Sequence, residues 1–588
     1  MSSVLRNPYT GTKRLVVAID IGTTYTAASF CILKPGFVPK FEEILSWPAQ
    51  AVADAKVPSV VYYDAATEIR AIGAETEDED MVVEAEDNGW HKAEWWKLHL
   101  RPEHLPLVRG LELPELPPGV STNKVLSDFF GFVKRQIQIY IQRSYADGSR
   151  LWDELFPSMF AILTTPNGWE GIQQARMREA AISGGLVDAD GGRRIRFVTE
   201  AEAAVLYAAN TGNVEDWLFE GGNVILCDCG GGTIDISGYT IRQTSPLRLE
   251  ESSAPLCYLA GGVHISNKAR IYFANRLSDT KWGHDDAIRR VTEQFDRNMK
   301  KKFCDVKKVL HVQLDGHESD ASLGIVRGRM RVSGKDIEGF FRPSVVAILD
   351  GLRTAWENGN RLADSVILVG GLAGSPYVYD QILQWGKMVG VSISKPDGPS
   401  TKAVASGALA WHLDASVSTR VARYHYGKEV RAQFDPADPT MRGRPIEVDY
   451  ITGEQMVNHF WSCIVEKDTR VDAQKEFWAS YVLRTTGLGS QIHSSAIYVY
   501  RKAKTPKFVT SLLTGNRLPG FEVLCHVKAD LQPLWDATAF ELSAVSCVRY
   551  KSLMFKIHIT LVDTEISAKM SWEVNGVTRY SPAVVAYD

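Results

Sequence analysis

Two stretches of the chain, more than two hundred positions apart, carry one pattern of apolar and polar residues. Leu-Val-Val-Ala-Ile at 15–19 closes on Asp20, and Val-Ile-Leu-Cys at 224–227 closes on Asp228. In each, one residue and a glycine follow (Gly22, Gly230), then small or hydroxyl-bearing residues, then a renewed apolar alternation through 26–30 and 233–237. Short apolar runs bounded by turn residues predict buried strands, here two hairpins at 15–30 and 224–237. Further buried strands are expected at 57–63, 159–166 and 366–369. Phe129, Phe132, Val133, Ile137, Tyr140 and Ile141 recur at helical spacing and predict an amphipathic helix over 127–143. Helices are also expected at 173–183, through much of 266–312, and from Pro376 to 386, with proline in the first turn. From about Thr419 the period changes to two, at 420–426, 496–500 and 555–562, which predicts a β-rich second domain. The boundaries read as 13–418 for an α/β domain and 419–588 for a smaller β-rich one.

Composition narrows the function classes. The 588 residues are 45% apolar and 23% charged, with a net charge of −4. Those are the proportions of a globular protein, with no basic field to gather nucleic acid or anionic membrane. No apolar run is long enough for a spanning helix, and residues 1–14 lack a signal core, so a cytoplasmic setting is expected. The eight cysteines are scattered; Cys227 and Cys229 flank Asp228 without a second pair at zinc-ligand spacing, and read as buried thiols. Residues 75–87 hold eight carboxylates and no base, the pattern of a solvated loop or helix edge.

The chemistry lies in the repeated hairpin. Glycines let backbone amides approach a ligand and point at phosphate oxygens. Asp20 and Asp228, each at a strand end, suit a Mg²⁺-bound water, and Thr233 a hydroxyl donated to phosphate. A single glycine hairpin is ordinary; two predict facing phosphate loops around one polyphosphate and its metal. Thr23, Thr24 and the amides after Gly22 would take one side, and Gly230, Gly231, Gly232 and Thr233 the other. Residues 366–376 add a strand, the pair Gly370-Gly371, Leu372 and a loop.

These three elements resemble, in order and spacing, the phosphate and adenosine motifs of the actin/sugar-kinase/heat-shock ATPase superfamily, and within it the heat-shock protein 70 family. Residues 18–25, through Tyr25, resemble the first phosphate motif, 228–235 the second, and 366–376 the adenosine motif. The resemblance covers about 13–415. It implies a two-lobed actin-like ATPase fold built on ribonuclease H-like repeats, with ATP/ADP and Mg²⁺ as cofactors. It further implies a catalytic lysine in the region 90–100, carried to Lys97 with Lys92 in reserve; the other reading of Lys97 is a surface lysine beside a tryptophan cluster. Glu200 corresponds to the carboxylate that couples nucleotide state to lobe position, and Asp235 braces the second loop. Gly261 and Gly262 correspond to a phosphate-touching glycine pair, and Lys300 or Lys301 to a cation bracketing the adenosine. Asp20 and Asp228 become the metal residues, and Lys97, Glu200, Asp228 and Thr233 the catalytic set.

The chain also departs from that family. It has no arginine near Gly374 to cover an adenine, no acidic residue near the start of 400–410, no short acidic leucine-rich linker and no long helical lid. The departures point to a divergent branch such as the heat-shock 70 kDa protein 12A-like group. The expected function is ATP binding and slow hydrolysis, below about 1 s⁻¹ where typical enzymes turn over near 10 s⁻¹, driving a chaperone-like switch on protein clients or co-chaperones. Two alternatives stand beside it: a nucleotide-holding scaffold that barely hydrolyses, and a small-metabolite kinase on the same fold.

Overall fold

A computed structural model describes residues 8–107, 111–211, 217–396, 403–414, 417–472, 475–488, 492–562, 565–582 and 584–585. The protein is mixed α/β and divides into two compact units, Met1–Trp169 with Arg176–Ser416, and Glu170–Ala175 with Val417–Asp588. Positions 400–402 of the expected small-residue helix lie outside the described residues. Among those described, no helix is long and apolar enough to cross a membrane.

The first unit holds two sheets of one design. In the first, Arg14–Ile21 pairs antiparallel with Tyr25–Leu33, which pairs with Phe41–Glu43. On its other side Arg14–Ile21 runs parallel to Phe160–Thr165, and that strand parallel to Ile195–Thr199. The second sheet repeats this: Asn223–Cys229 pairs antiparallel with Ile234–Thr244, which pairs with Leu247–Glu251. Asn223–Cys229 also runs parallel to Ser365–Val369, which runs parallel to Ser392–Ser394. Even the extra strand recurs, Lys56–Pro58 on the second strand of one sheet and Leu256–Tyr258 on that of the other. No repeat is visible in the residues beyond the two hairpins. Pairing constrains the backbone and the alternation of faces, not side-chain identity, so a duplicated topology outlasts any likeness of sequence.

Each sheet has its own apolar core. The first packs Leu15, Val17, Ile19, Phe30, Ala161 and Leu163 against Phe129, Phe130, Val133 and Ile137 of the helix Thr122–Ser144. The second packs Ile225, Cys227, Cys229, Val366 and Leu368 with residues of Gly262–Leu277, Gly334–Asn358 and Pro376–Val389. Glu200–Thr211 and Ala403–Asp414, the helices after the last parallel strand of each sheet, meet where Gly407 lies on the Ala203 backbone. The acidic run forms a helix, Glu79–Asp87, capped by the Asp78 carboxylate; its first-turn acids face the positive end of the helix dipole.

Three local expectations needed adjustment. The run 57–63 splits into Lys56–Pro58 and Val61–Tyr63, because the Ser59 amide turns aside to the Thr24 carbonyl. Residues 266–312 are not all helical: a π-helical turn, Phe295–Met299, interrupts them and Val309–Gln313 is a strand. The alternation at 420–426 is two strands, Val417–Val421 and His425–Gln433, parted at 422–424.

The second unit is β-rich. One sheet runs in the order Ile446–Val448, Gln455–Val465, His425–Gln433, Ile492–Tyr500, Phe521–Asp530. Another runs Glu476–Thr485, Arg549–Val562, Glu565–Val574, Val577–Tyr580. Ile497, Val499 and Val527 of the former share one apolar cluster with Leu553, Phe555, Ile557 and Met570 of the latter, so the two pack as a sandwich. Among the described residues of this unit after Val417, the α-helix is the six-residue Gln532–Ala537.

Candidate functional site

The two hairpin turns close in the same way. The Gly22 amide donates to the Tyr25 carbonyl (3.0 Å) and the Gly230 amide to the Thr233 carbonyl (2.9 Å). Asp20 and Asp228 therefore occupy equivalent positions at the ends of the two central strands. The turns also meet. A Cβ built on Gly231 would fall on the Thr24 side chain, and one on Gly232 on the Thr23 side chain and 2.9 Å from Leu98 Cδ2. Only a residue without a Cβ allows that approach, which is why the second turn is glycine where the first is threonine.

Buried carboxylates gather behind the turns. Asp20 accepts from Thr164 Oγ1 at 2.9 Å. Asp235, 1% exposed, accepts from the Asn167 amide at 2.6 Å and from the Thr233 hydroxyl. Burial pushes the Asp228 carboxyl up to about 7; Asp235 and Asp20 push the same way, while Lys56 and Lys97 oppose them. Burial likewise pushes Glu200 up, Lys97 pulls it down, and Asp20, Asp235 and Asp228 add to the rise. Lys97 is 2% exposed; its Nζ donates to Glu200 Oε1 at 2.6 Å and lies 5.1 Å from the Trp169 ring centroid. It sits on the single 3₁₀ turn Trp96–Leu100, entered through Trp95 in the left-handed region (φ 50°). Strain of that kind, about 1–3 kcal/mol, is retained where surrounding packing enforces it.

An acid held above its unfolded pKa destabilises the fold once ionised. The folded state binds the extra proton, so stability falls as pH rises from about 4 to 7 through the Asp228 range. Without nucleotide or metal, Asp228→Asn is expected to melt higher than the wild type at pH 8 and equal to it at pH 4. Thermal melts at the two pH values, by circular dichroism, check this; a lower melting point for the variant at pH 8 would count against it.

Of the remaining expected residues, some lie at the turns and others lie apart or are engaged elsewhere. Gly370 (φ 89°) lies against Asp228, where a Cβ would strike the carboxylate, and around Gly371 and Gly374 the space is open. Leu372 is buried in the apolar core and offers a ligand no side chain. The amides of Gly261 and Gly262 are not free for phosphate: they donate to the carbonyls of Gly232 and Gly230 (both 3.1 Å), and the Val263 amide to Gly231 (2.8 Å). This pair braces the glycine turn, holding its carbonyls on the helix Gly262–Leu277. The Thr233 hydroxyl, just before the strand Ile234–Thr244, is engaged with Asp235 two positions on. Lys300 reaches the site, bonding Ser266 Oγ (2.9 Å) and Asp296 Oδ1 (3.1 Å) beside Gly262, whereas Lys301 is exposed. Lys92 pairs with Glu94 at 3.0 Å. Tyr25, 44% exposed, feels the charges of Asp296 and Arg297 from the second sheet's side.

Sequence reasoning passed over Lys56, Asn167 and Trp169. The signal for Lys56 was a lone base entering the strand that pairs with the first hairpin. Asn167 and Trp169 follow the parallel strand Phe160–Thr165, whose nearness to the second hairpin only the tertiary fold creates.

Magnesium usually keeps several waters and takes one or two carboxylates plus phosphate oxygens. Among the described residues no group of three or more His, Cys, Asp or Glu side chains could hold a metal ion directly; Asp20, Asp228, Asp235 and Glu200 share one field. Their mutual repulsion is what a hydrated divalent cation would relieve. No protein-family model matches the sequence.

Proposed function

We propose that the first unit is a two-lobed, actin-like body, heat-shock-70-like in its site, that binds ATP with Mg²⁺ and hydrolyses it slowly as a chaperone-like switch on protein partners. One observation carries the reading: two strand–Asp–x–Gly turns, from two sheets that share the order of five core strands, meet with glycines of one against threonines of the other. On this reading Asp20 and Asp228 hold the hydrated cation, which when bound would neutralise charge on the phosphates. The Thr23 and Thr24 turn and the Gly230–Gly232 turn grip the phosphates from either side. Lys97, fixed by Glu200, sets a positive charge where negative charge develops on the transferred phosphoryl group. Gly370, Gly371 and the open space at Gly374 give a planar base a backbone surface, and Lys300 a cation beside it. Because both turns must close on one triphosphate, loss of the γ-phosphate frees them to part, and that motion is the output to a partner.

A single-turnover ATP hydrolysis assay on the full chain tests this. The wild type is expected to hydrolyse ATP slowly and only with Mg²⁺, and Asp228→Asn to be slower by about 100-fold, the usual loss when one electrostatic contact to the transition state goes. Hydrolysis untouched by Asp228→Asn or by chelator would overturn the assignment. A tight 2.6 Å pairing of Lys97 with Glu200 also favours a second reading, a scaffold that holds ATP without cleaving it. Binding without turnover in the wild type selects that reading.

A further inference from the structure

The second unit holds a lysine for which the nucleotide reading has no use. Lys428 lies on His425–Gln433 and points between the two sheets of the sandwich. Its Nζ donates to Ser495 Oγ at 2.6 Å and stands 5.6 Å from the ring centroid of Tyr481 and 6.0 Å from that of Phe555, both on the opposing sheet. Ser495 Oγ also lies 3.1 Å from His493 Nε2. Ser462, the cross-strand neighbour of Lys428, meets the Tyr481 hydroxyl at 3.1 Å. Ser495 is 1% exposed, whereas Lys428, Ser462, Tyr481 and His493 are half-buried, so the cluster opens to solvent at its rim.

What the cluster lacks is a counter-charge. Among the described residues no carboxylate pairs with Lys428; the adjacent Glu429 is taken by His459. A charge withdrawn from water without a partner is costly, and such groups are ordinarily paired. Two aromatic rings offset only part of that cost. Burial pulls the Lys428 amine down to about 8, and burial with the Lys428 charge lowers His493, leaving it a neutral imidazole. The site therefore presents one cation, one neutral imidazole, three hydroxyls and two aromatic walls. That inventory matches a singly charged anion with an apolar body; a phosphate dianion would leave a surplus negative charge.

We propose that Lys428, Ser462, Tyr481, His493 and Ser495 form a carboxylate-binding site between the sheets, with the apolar part of the ligand against Tyr481 and Phe555. The carboxylate belongs either to a small organic acid or to the free end of a peptide. The proposal is independent of nucleotide binding.

Isothermal titration of the full chain with benzoate, and with benzamide as the uncharged isostere, tests it. Benzoate is expected to bind at least about tenfold more tightly than benzamide, and Lys428→Met to lose benzoate binding by at least that factor. Methionine replaces the buried charge by an apolar chain of similar length, so the variant is expected to melt no lower than the wild type. Ser495→Ala, which leaves the cation in place, is expected to weaken benzoate a few-fold. No saturable benzoate binding by the wild type, equal binding of benzamide, or unchanged binding in Lys428→Met would each overturn the site. If Lys428→Met does not fold, the benzamide comparison and Ser495→Ala still decide. A peptide ending in phenylalanine, against its C-terminal amide, separates the sources: preference for the free-acid peptide over benzoate identifies a chain end, preference for benzoate a free acid.

Discussion

Lys97→Ala is expected to cost about 3–5 kcal/mol of stability, the usual loss when one partner of a buried ion pair is removed. The reason is what stays behind. Glu200 would sit buried without its ammonium, in a field to which Asp20, Asp235 and Asp228 all contribute negative charge. Loss of the cation–π contact adds to this, since the ammonium lies 5.1 Å from the Trp169 ring centroid. Chemical unfolding at pH 7 measures the change. Lys97→Ala with Glu200→Gln should recover most of it, because the double variant leaves no orphaned charge, and a double-mutant cycle isolates the coupling. On the functional side the same lysine is the cation assigned to the proposed reaction, and single-turnover hydrolysis should fall about 1,000-fold. The double variant should regain stability without regaining hydrolysis. Recovery of both would mean that Lys97 acts only on the fold, and recovery of neither that the pair is not the unit described here.

Gly232→Val carries the second large effect. The branched side chain would have to occupy space already filled by the Thr23 side chain and Leu98 Cδ2. Overfilling a packed interior costs about 1–3 kcal/mol even where neighbours can shift. Here the neighbours are the facing turn itself, so relief comes from moving the two turns apart. ATP affinity is expected to fall by about 100-fold or more, roughly the strength of two charge-assisted hydrogen bonds. Gly374→Ala, in open space, is the matched control and should bind ATP like the wild type. Fluorescent-nucleotide titration of both variants gives the comparison. Equal affinity for Gly232→Val and the wild type would show that the meeting of the turns has no part in binding. A valine variant that is destabilised yet binds normally when folded would lead to the same conclusion.

The chain announces these residues with unequal clarity. The aspartates, the glycine triplet and the paired threonines stand out in the sequence because turn chemistry is local: a glycine after a strand-ending aspartate has few other uses. The strand and helix runs were legible for the same reason, as at 127–143, where apolar spacing predicted the core of the helix Thr122–Ser144. Lys97 was legible only through resemblance. Nothing local separates it from Lys92, and the two diverge because one enters the core beside Glu200 while the other pairs with Glu94 on a short strand. The phosphate role of Gly261 and Gly262 likewise rests only on resemblance. Their actual partners, the carbonyls of the glycine turn, lie about thirty residues earlier in the chain. Lys428 gave no signal: a lysine in an alternating strand reads as a solvent-facing position, yet it stands two residues after Tyr426, a member of the sandwich core, and shares that inward face.

The amino-acid order by itself determined the periods of burial, the two glycine turns, the change from α/β to β-rich near position 419 and the shortness of every uncharged apolar run. These are short-range properties, set by side-chain periodicity and backbone sterics within a dozen residues. The tertiary structure alone decided that the two turns touch, that both sheets share the order of five core strands, that four carboxylates and two lysines fall into a common field, and that a half-buried lysine of the second unit has no carboxylate paired with it among the described residues. Those are facts about which distant segments come together, and burial then alters the chemistry: the same aspartate that is an ordinary acid in the unfolded chain becomes, beside two others in a dry site, one that gives up its proton only near neutral pH.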